Sequence, residues 1–306
     1  MARSSNSPSP RERRMKVALL SAGRGWHTDE LTRALGDRGH EARLLPIQSL
    51  IARIGGEPRL AAGSGSLDDC DAALVRIIPR GSLEQMVFRI DALHWLERLG
   101  VVVLNPAAAI ERTVDKFYTS ALLEHAGVPT PRTVVAEGVD AAMAAFQSMG
   151  DVIVKPLFGS NGRGMVRVSD EEIAYRVFKA LELERAVYYV QEALPHEGRD
   201  VRAFVVGDRI VAAAWRTASG WRTNVARGGR AERADLPPAW EALCLHASRA
   251  VGAEYSGVDL LPTTDGRVFI LEVNGIPGWR GLQATTEVDV AASVVRHLED
   301  VAGRAR

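Results

Sequence analysis

The sequence predicts a mixed α/β protein, with an N-terminal parallel α/β unit followed by blocks in which helices alternate with antiparallel strands. Three observations carry that expectation. The chain opens on strand, helix and strand at the spacing of a parallel crossover. A glycine-rich loop near its middle joins two strand-like runs. Near its end, two apolar runs flank Asp265-Gly266, and each run carries a carboxylate.

The opening unit begins with the apolar run Lys16–Ala22, read as a strand. "TDELTRALGDRGH" follows as a helix capped by Thr28 or Asp29, with Leu31 and Leu35 on one face. "ARLLPI" and "AALVRII" are further strands, "EQMVFRIDALHWLERLG" is a helix stopped by Gly100, and "VVVLN" is a strand ended by Pro106. A domain boundary is expected near Asn105, so the unit spans 15–105. The polar, Ser/Pro-rich residues 1–14 are expected to be a disordered tail, or to lie upstream of a start at Met15.

A central block, 106–190, opens with one helix that Asn105 caps, Pro106 begins and Gly127 stops. "VDAAMAAFQSMG" and "EEIAYRVFKALEL" are helices around the strand–loop–strand unit "DVIVKPLFGSNGRGMVRVS". The last block, 191–306, follows from the strand "VYYVQEAL". It holds "DVRAFVVGDRIVAAAWRTA", a hairpin turned at Gly207-Asp208, and "PPAWEALCLHASRAVG", a helix between Pro and Gly. The strands "YSGVDLL" and "VFILEVN" and the closing helix "VDVAASVVRHLEDV" complete it.

Lysine plus arginine equal aspartate plus glutamate at 38 each, which gives no electrostatic grip on nucleic acid. The two cysteines have no metal-ligand spacing and suit a reducing, cytoplasmic compartment. No apolar run approaches the ~20 residues of a membrane span. No nucleophile–base signature of the serine or cysteine type is present.

The loop glycines are Gly159, Gly162 and Gly164, preceded by Lys155 at the end of a strand. Neither phosphate-loop pattern fits, because both run from a strand into a helix, whereas here an alternating strand follows. A hairpin lid laying backbone N–H groups over phosphates, with Lys155 as a point charge, fits that context. A surface hairpin whose glycines serve turn geometry is the competing reading.

A two-residue turn at Asp265-Gly266 sets Asp259 opposite Glu272, with Cβ atoms about 5 Å apart. Asn274, two residues on, shares the face of Glu272. Facing carboxylates repel unless a cation lies between them, and an all-oxygen set suits Mg²⁺ or Mn²⁺. The alternative has Asp259 in solvent and Glu272 paired with an arginine.

Two further pairs alternate on strands: Asp200 with Arg202, and Arg222 with Asn224. Both suit anion binding, and both also suit an ordinary polar strand face. By periodicity Lys116 is a solvated mid-helix residue. Gln191–Leu194 ends a strand at a domain junction, where backbone groups commonly meet a flat ligand. Arg280, between Gly278 and Gly281, suits a substrate carboxylate, with Trp279 as a wall.

Taken in order, "VDKFYTSALLEHAGVPTP", "VIVKPLFGSNGRG", "VQEAL", "DVRAFVVGDRIVAAAWR", "WRTNVARGG", "GVDLL" and "LEVNGIPG" resemble the ATP-grasp superfamily, and within it the RimK-like α-L-glutamate ligases. The resemblance runs from about Ala18 to Leu298. It implies an ATP-grasp fold: an N-terminal α/β subdomain, a central lid subdomain and a C-terminal metal-binding subdomain. It implies phosphate contacts for Lys116 and Lys155 under the Gly159–Gly164 lid, and adenine beside Gln191, Glu192, Ala193 and Leu194. Asp200 and Arg202 would lie near the nucleotide, with Thr223. Arg222 and Asn224 would face the γ-phosphate and an acyl phosphate. Asp259, Glu272 and Asn274 would hold two Mg²⁺ or Mn²⁺ ions.

The chemistry so implied joins an amino-acid donor, glutamate by family, to an acceptor carboxylate at the expense of ATP. Two departures from the ribosome-modifying members bear on the acceptor. The segment from Gln191 to Asp200 is one residue shorter than expected, and "GIPGWRGLQ" lacks their acidic residue near Arg280. They imply a small pterin-type or furan-type carboxylate cofactor in place of a ribosomal protein C-terminus. A small-molecule kinase and a non-catalytic nucleotide-binding module are the other readings. Members of the superfamily commonly form homo-oligomers.

Overall fold

Near-continuous apolar runs build the first sheet. Strands β1 (Lys16–Ser21), β2 (Glu41–Pro46), β6 (Ala72–Val75) and β7 (Val102–Leu104) pair in parallel in the order β2-β1-β6-β7. Every residue of β1 after Lys16 is buried, as is all of β6, as expected for a parallel sheet covered on both faces. Three short strands missed by pattern, β3 (Leu50–Ala52), β4 (Leu60–Ala62) and β5 (Gly65–Ser66), form a small antiparallel sheet. The computed structural model describes residues 14–159, 164–218 and 230–304. They fall into two compact units: the first runs to Ile110 and includes Ile276–Gln283 and Glu287–Arg306, and the second comprises Glu111–Gly275 and Ala284–Thr286.

In the first unit, helix α1 (Trp26–Gly36) starts two residues before the expected cap. Gly25 precedes it, and Thr28 closes the turn by accepting from the Gly25 N–H at 2.8 Å and donating to its carbonyl at 2.7 Å. A third-position hydroxyl thus does the work expected of a first-position one. Helix α2 (Leu83–Arg98) is capped by Ser82 through Gln85. Helix α3 (Ala107–Val114) carries the sequence on into the second unit. The closing helix α9 (Val290–Arg304), numbered in chain order, returns to the first unit. There Asp289, before its first turn, pairs with Arg33 of α1, and Glu299 takes Arg38 and His40.

The second unit holds two antiparallel sheets. The smaller contains β8 (Thr133–Ala136), β9 (Val152–Lys155), β10 (Val166–Val168) and β11 (Tyr188–Glu192) in the order β10-β9-β11-β8. Helices α5 (Val139–Met149) and α6 (Glu171–Leu183) cover it. Phe178 of α6 is wholly buried and meets Tyr188 edge-to-face at 5.6 Å, a geometry worth ~1 kcal/mol beyond burial. The larger sheet contains β12 (Arg199–Val206), β13 (Arg209–Thr217), β14 (Arg230–Arg233), β15 (Tyr255–Pro262) and β16 (Val268–Asn274), in the order β14-β13-β12-β15-β16. Helices α4 (Lys116–His125) and α7 (Pro238–Val251) pack on its apolar face, around Val201, Ala203, Val258 and Val273.

One expectation is corrected here. The run from Asn105 to Gly127 is two helices, because Asp115 has extended backbone (φ −96°, ψ 108°) and its carboxylate caps α4 by accepting from the Tyr118 N–H at 3.1 Å. Lys116 is therefore the first residue of a helix, not a mid-helix residue.

Candidate active site

The site is built from the polar faces of strands in the second unit. Alternation along β12 sends Val201, Ala203 and Val205 into the core and leaves Asp200 and Arg202 on the opposite face. Register then sets Arg202 beside Asp259 of β15, and Asp259 beside Glu272 of β16, so the three stand in one row across three strands. The Arg202 Nε reaches an Asp259 oxygen at 2.6 Å, and Nη2 donates to the other at 3.0 Å. Arg216 of β13 lies between two buried carboxylates. It donates to both oxygens of Asp200, at 2.7 and 2.5 Å, and approaches Asp259 at 3.1 Å. Burial opposes its charge, but Asp259 and Asp200 together hold its pKa above the ordinary arginine value.

The pairing of Asp259 with Glu272 matches the sequence expectation, but the turn that produces it differs. Thr263 N–H donates to the Arg267 carbonyl at 2.9 Å, so the loop is Thr264-Asp265-Gly266, with Gly266 left-handed at φ +82°. A three-residue loop alone shifts the register by one. A bulge between Leu260 and Asp259 shifts it back, which is why Ile270 and Val273, three apart, both face the core. Asn274 lies opposite Gly257, a partner with no side chain.

The smaller sheet contributes Lys155, the last residue of β9. Its Nζ donates to the Gln191 Oε1 at 2.5 Å and lies 5.8 Å from the Tyr189 ring centre. Burial lowers the Lys155 pKa to about 8; Glu272 and Asp259 work against that shift, and Lys116 adds to it. The four charged groups thus share one electrostatic environment. Gln191 is 1 % exposed. Its amide nitrogen donates to Thr133 Oγ1 at 2.9 Å and Tyr189 Oη at 3.2 Å, which turns the amide oxygen to the lysine. The Tyr189 hydroxyl in turn meets Ser120 at 2.8 Å. Thr133 and Tyr189, on β8 and β11, and Ser120, on α4, carried no signal of their own in the sequence.

Lys116 reaches the glycine loop, donating to the Gly159 carbonyl at 2.7 Å. The loop joins antiparallel strands, as expected, with Val166 opposite Val154. Gly159 and Gly164 have φ of +151° and +77°. At Gly164 a Cβ would also come 3.4 Å from Pro156 Cγ. Gly162, Arg222, Thr223 and Asn224 lie outside the described residues.

At the end of β11, the Glu192 N–H is committed to the Arg132 carbonyl at 2.9 Å and the Ala193 N–H to the Asp151 carbonyl at 3.0 Å. Leu194 packs with Leu261, Phe269 and Leu271. Among the described residues its N–H has no backbone partner, which makes it the free donor of the segment. Asp200 is 3 % exposed and accepts from Arg216 on both oxygens, so it positions that arginine. Arg280 belongs to the first unit, where it heads the short helix α8 (Arg280–Gln283).

The metal set passes a chemical test. Glu272 and Asn274 are half-buried, and among the described residues no hydrogen bond or ion pair takes their side-chain oxygens. Asp259 shares its oxygens with two guanidiniums. Among the described residues no cluster of three or more His, Cys, Asp and Glu forms; the candidate set is two carboxylates and an amide. Such hard oxygen donors fit Mg²⁺ or Mn²⁺.

Two antiparallel sheets presenting lysines, a glycine hairpin and paired carboxylates to one another define an ATP-grasp ligase. A solved structure of a RimK-domain ATP-grasp protein from Sphaerobacter thermophilus aligns over 92 % of this chain and 98 % of its own at a TM-score of 0.71 and 27 % identity. The ATP-grasp ligase PsnB, solved with a minimal precursor, Mg and ADP, shares the fold at 20 % identity and a TM-score of 0.71, over 94 % of this chain and 98 % of its own.

The chain belongs to the RimK-like ATP-grasp family: the RimK-like ATP-grasp domain matches residues 113–298, and the RimK pre-ATP-grasp domain matches 15–110. A relative from Methanococcus maripaludis, tetrahydromethanopterin:alpha-L-glutamate ligase, is 36 % identical over 287 residues, covering 92 % of this chain and 97 % of its own. No helix among the described residues is long and apolar enough to cross a membrane.

Proposed function

We propose that the protein is an ATP-dependent carboxylate–amine ligase that joins L-glutamate to a small carboxylate-bearing cofactor in the cytoplasm. The observation that carries this reading is the grouping of Lys155 and Lys116 with Asp259 and Glu272. Cations for phosphates and oxygen donors for a divalent ion are what phosphoryl transfer demands. The small-cofactor acceptor is supported by the name of the Methanococcus relative. The reduced, buried Cys70 and Cys244 suit the compartment.

In this reading Lys116 and Lys155 neutralise the ATP phosphates, and the Gly159–Gly164 hairpin covers them. The Leu194 N–H meets the adenine edge. Asp259, Glu272 and Asn274 hold Mg²⁺ or Mn²⁺, two ions by family, which supplies charge neutralisation at the phosphates. An acceptor carboxylate oxygen attacks the γ-phosphorus, the bond to ADP breaks, and an acyl phosphate forms. The glutamate amine, having released a proton to solvent, attacks the acyl carbon, and phosphate leaves. Arg222 and Asn224 are the groups assigned to that anionic intermediate, with Thr223 at the nucleotide. No protein nucleophile is required; positioning and charge carry the rate.

The test is incorporation of labelled glutamate into a host extract with Mg²⁺ and ATP, followed by separation by size. Label in the small-molecule fraction is expected. Label in protein would restore a ribosomal-type acceptor, and ADP release that does not depend on any amine would favour a kinase.

A further inference from the structure

The two faces of the smaller sheet are unlike. Along β11, Tyr188 and Val190 enter the core beneath α5 and α6. Tyr189 and Gln191 alternate to the opposite face. Register sets Tyr189 directly opposite Lys155 of β9, and Gln191 directly opposite Thr133 of β8. Such cross-strand neighbours have Cβ atoms about 5 Å apart. Tyr189 is 1 % exposed, too deep to touch a substrate, yet its ring and its hydroxyl both bear on the lysine.

The ring supports the ammonium directly: Lys155 Nζ lies 5.8 Å from the ring centre, within the range of cation–π attraction. The hydroxyl acts one step further back. It accepts from the Gln191 amide at 3.2 Å, and the Gln191 oxygen takes a Lys155 hydrogen at 2.5 Å. The same hydroxyl meets Ser120 Oγ at 2.8 Å. Burial raises the Tyr189 pKa above the ordinary tyrosine value, so the phenol stays neutral and keeps both bonds.

Thr133 already takes one hydrogen of the Gln191 amide from within the sheet. The Tyr189 hydroxyl adds what Thr133 does not, a link out of the sheet. Ser120 is on α4, one turn beyond Lys116. That helix belongs to the frame of the larger sheet: its Leu123 is buried with Val201, Val258 and Val273, and it packs against β16, the strand of Glu272. A continuous chain of side chains therefore runs from the frame that carries Asp259 and Glu272, through Ser120, Tyr189 and Gln191, to the Lys155 ammonium.

We propose that Tyr189 is a positioning residue for phosphoryl transfer: it ties Lys155 to α4 and so fixes the cation of one sheet against the carboxylates of the other. The transfer step rests on the ligase reading above; the tie itself does not. Cutting the tie leaves each phosphate contact available with its geometry unfixed. Such a loss falls on the reacting arrangement more than on ground-state binding.

Tyr189→Phe keeps the ring and removes the hydroxyl, and Ser120→Ala cuts the same link from its other end. Lysine occurs only as Lys16, Lys116, Lys155 and Lys179, so lysine labelled at Cε and read by NMR reports each one, with Lys155→Arg identifying the Lys155 signal. Both variants are expected to move that signal, although neither removes a group bonded to the ammonium, and to leave those of Lys16 and Lys179 in place. Mg·ADP affinity, by calorimetry, should fall by no more than about threefold, and labelled-glutamate incorporation at saturating ATP by at least about tenfold. The double variant should be no worse than either single, because both cut one chain. Ser120→Thr returns a hydroxyl and should restore both signal and rate. Should Tyr189→Phe fail to fold, the half-buried Ser120 carries the test alone.

A Lys155 signal unmoved in the variants, additive losses in the double, or a lowered melting temperature with an unchanged rate would overturn the tie. A signal that moves in both variants of a chain that releases no ADP with any amine would keep the tie and sink the ligase reading instead.

Discussion

Lys155 and Gln191 form a charge–amide pair at 2.5 Å, in which the amide is locked from behind by Thr133 and Tyr189. A half-buried ammonium so held is an anion site whose strength depends on one proton. Its folded pKa of about 8 lies below the ordinary lysine value of 10.5. The cation is therefore complete at neutral pH and is lost as pH rises through 8. Mg·ADP affinity should fall between about pH 8 and 10 in the wild type and stay flat in Lys155→Arg, measured by calorimetry. The linked stability effect runs the other way: folding favours the neutral lysine, so this group adds stability as pH rises from 8 towards 10.5.

Glu272 and Asp259 face each other but have different duties. Glu272→Ala removes a carboxylate with no partner among the described residues, so stability should change by about 0.5 kcal/mol or less. Mg²⁺-dependent turnover should nevertheless be lost. Asp259→Ala leaves Arg202 and Arg216 short of a counter-ion and should cost about 3–5 kcal/mol of stability as well. Equal melting temperatures for the two variants would refute this division.

Asp200 and Arg216 are a buried pair, 3 % and 6 % exposed. Asp200→Asn alone should destabilise by about 3–5 kcal/mol, whereas Asp200→Leu with Arg216→Met should cost far less. Urea unfolding of Asp200→Leu, Arg216→Met and their double closes the cycle. Additive losses would show that Asp200 and Arg216 are not coupled, against the buried-pair reading.

Asp115 caps the helix whose first residue is Lys116. Asp115→Ala should cost about 1 kcal/mol of stability. It should also weaken nucleotide binding, because the lysine that reaches Gly159 loses its fixed origin. Binding unchanged at a lowered melting temperature would mean that the Lys116 position does not depend on the cap.

Which of these features were legible in advance follows from their range. The four parallel strands, the glycine hairpin and the carboxylates at 259 and 272 are local patterns of apolar period and turn chemistry. The bulges were not legible. In the β12–β13 hairpin the Gly207-Asp208 turn would bring Trp215 opposite Asp200, and an irregularity at Phe204 moves Arg216 there instead. In the β15–β16 hairpin a bulge cancelled a misjudged loop. Bulges are set by packing on the far face, which periodicity does not encode. The Gln191 lock joins residues far apart in the chain, and the contact of the Arg76 guanidinium with the Trp279 ring spans 203 positions.

The return of α9 to the first unit has a consequence for how the protein is made. Arg33 and Arg38 wait for Asp289 and Glu299, and β1 belongs to a unit whose closing helix is synthesised after the whole of the second unit. Vectorial synthesis ordinarily completes the N-terminal unit first. Here the middle of the sequence can finish before the beginning does: once the chain has emerged past Thr286, the second unit can be complete while the first still lacks its final helix.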